Sequence, residues 1–152
     1  MKINSTENKM SNSASGRVMA IDYGKKRTGI AVTDPLQLIA SGLCTVETPK
    51  LVKFLTEYFS KENVSSVIIG VPVNWDDSDT DATPLVKHFI GTFKKYFSST
   101  PIYEVDERFT SKMASDAMLA MGMKKKQRQN KAAVDEIAAA IMLQEYLERG
   151  KI

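Results

Sequence analysis

The chain has 152 residues, 43% hydrophobic and 26% charged, with a formal net charge of +3. That is enough for one domain with an ordinary apolar core, and the mild positive balance alone does not name a nucleic-acid partner. One cysteine, Cys44, and one histidine, His88, exclude an intrachain disulfide, a Cys- or His-rich metal site and any Ser-His-Asp triad that does not use His88.

No stretch has the length of a membrane helix, and the first residues lack a signal-type apolar core. A cytoplasmic protein is expected. Residues 1–16 are polar and rich in Ser and Asn, the composition of a disordered tail, leaving residues 17–152 as the folded domain.

Two apolar runs follow. Val18-Met19-Ala20-Ile21 ends in Asp22, and Thr28 to Thr33 ends in Asp34. Short runs bounded by glycine and polar residues read as strands, and the gap between them makes a hairpin with Lys25, Lys26 and Arg27 in its turn. A third strand, Leu38 to Val46, contains Gly42, so an antiparallel meander is predicted.

Thr48-Pro49 predicts a helix start, Thr as N-cap and Pro in the first turn. Leu51, Val52, Leu55, Tyr58 and Phe59 form its apolar face. Val67 to Val71 is a continuous apolar run suited to a strand buried on both faces. After the acidic loop from Pro72 to Asp81, Thr83-Pro84 predicts a second helix with the same cap. Its inward face is Leu85, Val86, Phe89, Ile90, Phe93, Tyr96 and Phe97, which leaves His88 in solvent.

Ile102 to Val105 reads as a fifth strand leading into Asp106-Glu107-Arg108. A third helix carries Met113, Ala117, Met118 and Met121 as core filler. Lys124, Lys125, Lys126, Arg128 and Lys131 make a basic run. A last helix, from about Ala132 to Glu148, turns Val134, Ile137, Ile141 and Leu147 inward. The order predicts an α/β fold, a mixed five-stranded sheet with three antiparallel strands, then two α-connected parallel ones, and helices on its faces.

Carboxylates recur at comparable places. Asp22 ends the first strand, Asp106 and Glu107 end the fifth, and Asp135 falls in the first turn of the last helix. The alanines at 138–140 let that helix lie close to the sheet. Sites of α/β proteins gather at such strand ends. Converging carboxylates need cations or raised pKa values, and oxygen-only donors suit Mg²⁺ or Mn²⁺. Each has a bland alternative: Asp22 bonded to its own turn, Asp135 on the helix dipole, Asp106 or Glu107 paired with Arg108.

Four motifs occur in order: Asp22-Tyr23-Gly24 with Gly29; Ile69-Gly70-Val71-Pro72-Val73-Asn74; Asp106-Glu107-Arg108-Phe109-Thr110; and Lys131 with Asp135 before the alanines. Together they resemble the YqgF family, also called RuvX, the Holliday-junction-resolvase-like pre-16S rRNA nucleases. The resemblance covers about residues 17–148. It implies an RNase H-like fold and metal-dependent hydrolysis of structured nucleic acid, with pre-rRNA or junction DNA as substrate. It also implies a role at the ribosome in 16S rRNA 5′-end processing.

The resemblance assigns Asp22, Glu107 and Asp135 as catalytic and metal-holding residues for Mg²⁺ or Mn²⁺, with Asp106 as a substitute. Arg108 would neutralise substrate phosphate, and Asn74 would shape the rim. Lys25, Lys26, Arg27, Lys124, Lys125, Lys126, Arg128 and Lys131 would supply phosphate contacts. One departure from the family pattern is the turn after Asn74, which here is acidic and lacks glycine. The competing readings are a four-way-junction DNA resolvase, which needs two active sites and hence a dimer, and a non-catalytic RNA- or ribosome-binding module. An actin-like ATPase would need a second copy of this half. A monomer or weak homodimer is expected.

Overall fold

The computed structural model describes residues 16–74, 76–106 and 131–149. Five strands form one sheet: β1 (Arg17–Asp22), β2 (Arg27–Thr33), β3 (Ala40–Glu47), β4 (Val64–Val71) and β5 (Ile102–Asp106). The described helices are α1 (Leu51–Lys61), α2 (Thr83–Tyr96) and α3 (Lys131–Glu148). The spatial order is β3-β2-β1-β4-β5. β1, β2 and β3 pair antiparallel, while β4 runs parallel to both β1 and β5. This is the mixed sheet read from the sequence. Among the described residues no helix is long and apolar enough to cross a membrane.

Alternation along the central strands divides the interior into two cores. Met19 and Ile21 of β1, with Val67 and Ile69 of β4, pack under α1 and α2. Val18 and Ala20, with Ile68, pack under α3. Both faces of β1 are covered, which is why its sequence is apolar without interruption.

Several local expectations are corrected. Thr48 does not cap α1: residues Thr48–Lys50 form a 3₁₀ turn, and α1 has no side-chain cap. The Thr48 hydroxyl donates instead to Gly24 O at 2.6 Å and shares a hydrogen bond with Thr28 Oγ1 at 2.9 Å. Thr83 likewise lies inside α2, not before it, and its hydroxyl donates to Pro72 O. Both threonines tie distant loops together, and that use outcompetes capping.

Leu85 and Tyr96 are exposed, so the buried face of α2 is Val86, Phe89, Ile90 and Phe93. Leu38 and Ile39 precede β3 and are exposed too. In α3 the buried residues are Ala138, Ala139, Met142, Leu143 and Tyr146. Val134, Ile137, Ile141 and Leu147 are only half-buried. Small side chains, Ala138 and Ala139, face the sheet near the start of α3, where its backbone meets the strand at Gly29, and larger ones follow further along. His88 is exposed, as expected. The third helix and most of the tail, residues 1–15, lie outside the described residues.

Candidate active site

Asp22 is the last residue of β1, and its cross-strand partner on β2 is Gly29. It shares parity with Val18 and Ala20, which pack against α3, so Asp22 falls on the α3 face. Directly opposed residues of an antiparallel pair share a face. Gly29 therefore looks toward the same helix.

The contact there is backbone on backbone. A Cβ added at Gly29 would lie 2.1 Å from the carbonyl oxygen of Asp135 and 2.9 Å from the amide nitrogen of Glu136. Only glycine admits that approach. Gly29 thus seats Asp135 one strand spacing, about 4.8 Å, from the strand that ends in Asp22. Two carboxylates 113 positions apart in the chain come to one side of the sheet. Asp135 is the fifth residue of α3, not part of its first turn as expected. Its placement answers to the Gly29 contact more than to the helix dipole, which acts within the first turn.

The hairpin turn beside Asp22 is held from three directions. A Cβ on Gly24 would meet Arg27 O at 2.3 Å. Thr48 bonds Gly24 O, and the Thr48 amide donates to Lys26 O at 3.0 Å. Tyr23, of opposite parity to Asp22, stacks on Phe89 with ring centroids 4.9 Å apart, and burial pushes its hydroxyl pKa up.

Lys25 and Lys26 are exposed in this turn. Arg27 is not part of the turn; it opens β2. Its Nε lies 3.5 Å from Asp135 Oδ2, buried and without a hydrogen bond.

Asp106 belongs to the other side of the sheet. It ends β5 in register with Val71, with the parity of Ile102, which packs against the α1–α2 core, and of Glu104, which bonds Lys87 of α2 at 2.5 Å. It is exposed and borders an open cavity of about 290 Å³ shared with Asp77, Asp79, Thr83 and Lys87.

Asn74 is near that cavity, in the loop after β4. Its amide donates to Ser78 Oγ at 3.0 Å and to Asp79 O at 3.1 Å, so it closes its own loop. In the glycine-free turn after Asn74, Asp77 takes a left-handed φ of 68°.

Glu107, Arg108, Lys124, Lys125, Lys126 and Arg128 lie outside the described residues, as does the side chain of Lys131, which opens α3. Among the described residues no group of three or more His, Cys, Asp or Glu is placed to hold a metal ion. Asp22 and Asp135 lie on the same side of the sheet, and each offers carboxylate oxygens as donors. Carboxylate oxygens are the donor type that suits a hard divalent cation.

A sequence profile of the RuvX family, described as Holliday junction resolvase, matches residues 16–149. The chain belongs to the RuvX family. Its relatives include proteins named "Putative pre-16S rRNA nuclease". The one from Flavobacterium psychrophilum is 53% identical over 88% of this chain and 97% of the relative. That from Christiangramia forsetii is 52% identical over 86% and 97%, and that from Bacteroides thetaiotaomicron 52% over 87% and 96%.

Among solved structures, Thermus thermophilus RuvC in complex with a Holliday junction substrate aligns with a TM-score of 0.57 at 17% identity, covering 90% of this chain and 97% of that one. A second T. thermophilus RuvC structure gives 0.52 at 14%. At that identity the likeness fixes the fold alone, RuvC-like and of the RNase H class. Three features of this RuvX chain were not legible from its residues: the Gly29 seat, the Arg27–Asp135 pair, and the Thr28–Thr48 clamp on the turn. All three join residues distant in sequence. The nearest signal was a glycine in a strand interior, a mark of close backbone approach.

Proposed function

We propose that this RuvX-family chain is a divalent-metal-dependent nuclease that hydrolyses phosphodiester bonds of structured RNA, with the 5′ side of pre-16S rRNA as its substrate. The observation that carries the reading is the Gly29 contact, which seats Asp135 over the strand end that bears Asp22. The names of relatives about half identical to this chain favour RNA over junction DNA.

In this reading Asp22 and Asp135 hold the ions, joined by Glu107. Alternation along β5 puts Asp106, with Ile102 and Glu104, on the face opposite Asp22. That alternation is the reason to prefer Glu107. When bound, Mg²⁺ or Mn²⁺ supplies Lewis-acid charge at the scissile phosphate and a more acidic attacking water.

The chain's own residues do the rest. Lys25 and Lys26 meet backbone phosphates beside Asp22, and Arg108 neutralises the phosphate under attack. Lys124, Lys125, Lys126, Arg128 and Lys131 add contacts that read no sequence, each steepening the salt dependence by about 0.7 on a log–log plot. Asn74 shapes the rim by holding its loop. The protein works in the cytoplasm on ribosome precursors, as a monomer or weak homodimer.

The test is a cleavage assay on a rRNA precursor mimic and a four-way DNA junction side by side, with and without Mn²⁺. Wild type should cut the RNA only with metal. Asp22→Asn, Glu107→Gln and Asp135→Asn should each fall to background while still binding RNA. Wild-type turnover in all three variants would end the proposal, and preferential cutting of the junction would move the substrate to DNA.

A further inference from the structure

We infer that Arg27 is a place-holding cation for Asp135, one that a divalent ion must displace to occupy the carboxylate pair; the inference rests on the metal-dependent reading above. Arg27 Nε is the buried side-chain nitrogen left without a hydrogen bond among the described residues. It nevertheless sits 3.5 Å from Asp135 Oδ2. The pairing is therefore Coulombic and poorly aligned. An arginine that serves structure makes a directed fork of short hydrogen bonds.

Arg17 gives the contrast within the same molecule. Its Nη1 donates to Thr33 O at 2.9 Å and its Nε to Glu62 at 3.3 Å, anchoring the start of β1 to two neighbours. Arg27 has the backbone of such a residue without the side-chain anchorage. Its main chain is fixed in register with Glu47 of β3, and the preceding carbonyl is held by Thr48. Its side chain keeps 37% of its surface in solvent. The backbone is pinned, while the side chain has solvent on one side into which it could withdraw.

The electrostatics decide the direction. Two carboxylates drawn together without a metal repel each other, and a guanidinium beside one of them relieves that repulsion. A dication arriving at Asp22 and Asp135 meets the same positive charge at close range. It binds only as the arginine withdraws, because opposed like charges a few ångströms apart are unfavourable in any dielectric. Once withdrawn, the guanidinium remains tethered at the mouth of the site, within reach of a substrate phosphate. The residue that pairs with Asp135 before a cation binds becomes one that receives the anion.

The experiment is a Mn²⁺ titration of the full chain without nucleic acid, read by calorimetry and by Mn²⁺ electron paramagnetic resonance. The proteins are wild type, Arg27→Gln, Arg27→Met and Asp135→Asn. Arg27→Met keeps the aliphatic stem and guards against a packing defect. With the competitor removed, both Arg27 variants should bind Mn²⁺ about threefold to tenfold more tightly than wild type, and the gap should narrow as salt screens the pair. Asp135→Asn should lose most of the affinity.

Equal or weaker Mn²⁺ binding by both Arg27 variants would overturn the inference and make Arg27 a residue that orients Asp135. If wild type then still cleaves RNA with Mn²⁺, only the inference fails. If no protein in the set binds Mn²⁺, the metal-dependent reading fails with it.

Discussion

The two faces of the sheet are built on opposite principles. Under α1 and α2 the fillers are large. Phe93 is fully buried, its ring 5.0 Å from that of Phe97 and 6.1 Å from that of Phe59, and Phe89 carries Tyr23. Under the first half of α3 the fillers are small, namely Ala20, Ala31, Ala138 and Ala139, with Met142, Leu143 and Tyr146 following further along the helix, and at Gly29 the helix backbone touches the strand. Large side chains bury more apolar area and hold helices away from a sheet. Small ones give less burial but let backbone meet backbone. One face supplies cohesion, and the other sets the separation of Asp22 and Asp135. The neighbours Asp22 and Tyr23 show the division at a single step of the chain, one pointing to each face.

The largest expected effect tests the cohesive face. Phe93→Ala should destabilise the protein by about 3–5 kcal/mol, the range for emptying a buried aromatic site, read from the urea midpoint. The fraction that stays folded should keep its metal-dependent cleavage rate. A rate that collapses at unchanged folded fraction would show that the two faces are not separable.

The next effect reverses the ratio. Gly29→Ala drives a methyl into the backbone of Asp135, which cannot yield as a side chain can. A loss of about 2–3 kcal/mol is expected for such overpacking, with cleavage abolished even where circular dichroism shows a folded protein. Gly42→Ala, in β3 and facing the same helix, is the control. Its added Cβ meets the flexible side chain of Glu136 at 2.7 Å, so it should cost under about 1 kcal/mol and leave cleavage intact. Similar penalties at the two glycines would mean that backbone contact is not what seats α3.

This contrast also explains what could be read from residues alone. The α1–α2 face was legible because large apolar side chains at helical and strand spacing have few other uses. The α3 face was misread in detail. Val134, Ile137 and Ile141 look inward by hydrophobicity, yet the space at the sheet admits Ala138 and Ala139. The alanines did predict close approach, and Asp22 was placed at its strand end correctly. Arg27 was assigned to a positive rim because a lone arginine in a basic cluster carries no mark of a partner over a hundred positions away. Thr48 and Thr83 were read as caps for the same reason, since a local rule was applied to residues engaged in long-range bonds.

A third test separates acids that hold a loop from acids that gather at the site. Asp34 accepts the amides of Ile39 at 2.7 Å, Leu38 at 2.9 Å and Leu36 at 3.1 Å. The Ile39 amide above all, then those of Leu38 and Leu36, hold its carboxyl below the ordinary aspartate range, with partial burial opposing. The folded pKa is depressed, so the stabilisation is present above the unfolded value, about 3.9, and is lost as pH falls through the folded one. Wild type should exceed Asp34→Asn in stability at neutral pH, and the difference should shrink as the solution is acidified below that value. Cleavage at neutral pH should be the same in both. A gap that stays constant down to the acid limit would remove Asp34's charge from the account of the β2–β3 turn.

The smallest effect concerns the loop at the rim of the cohesive face. Asp77 holds a φ of 68°, a region that costs an L-residue roughly 1 kcal/mol and an aspartate somewhat less. Its amide donates to Asn74 O at 2.9 Å, a bond that glycine keeps. Asp77→Gly relieves the backbone strain and, in opposition, gives the unfolded chain more freedom. The two nearly balance, so a gain of about 0.5 kcal/mol in thermal or urea unfolding is expected, with cleavage unchanged. A loss instead would mean that the Asp77 side chain contributes more to the loop than its backbone costs. The acidic turn after Asn74 would then be a feature held by its charge and not a tolerated departure from glycine.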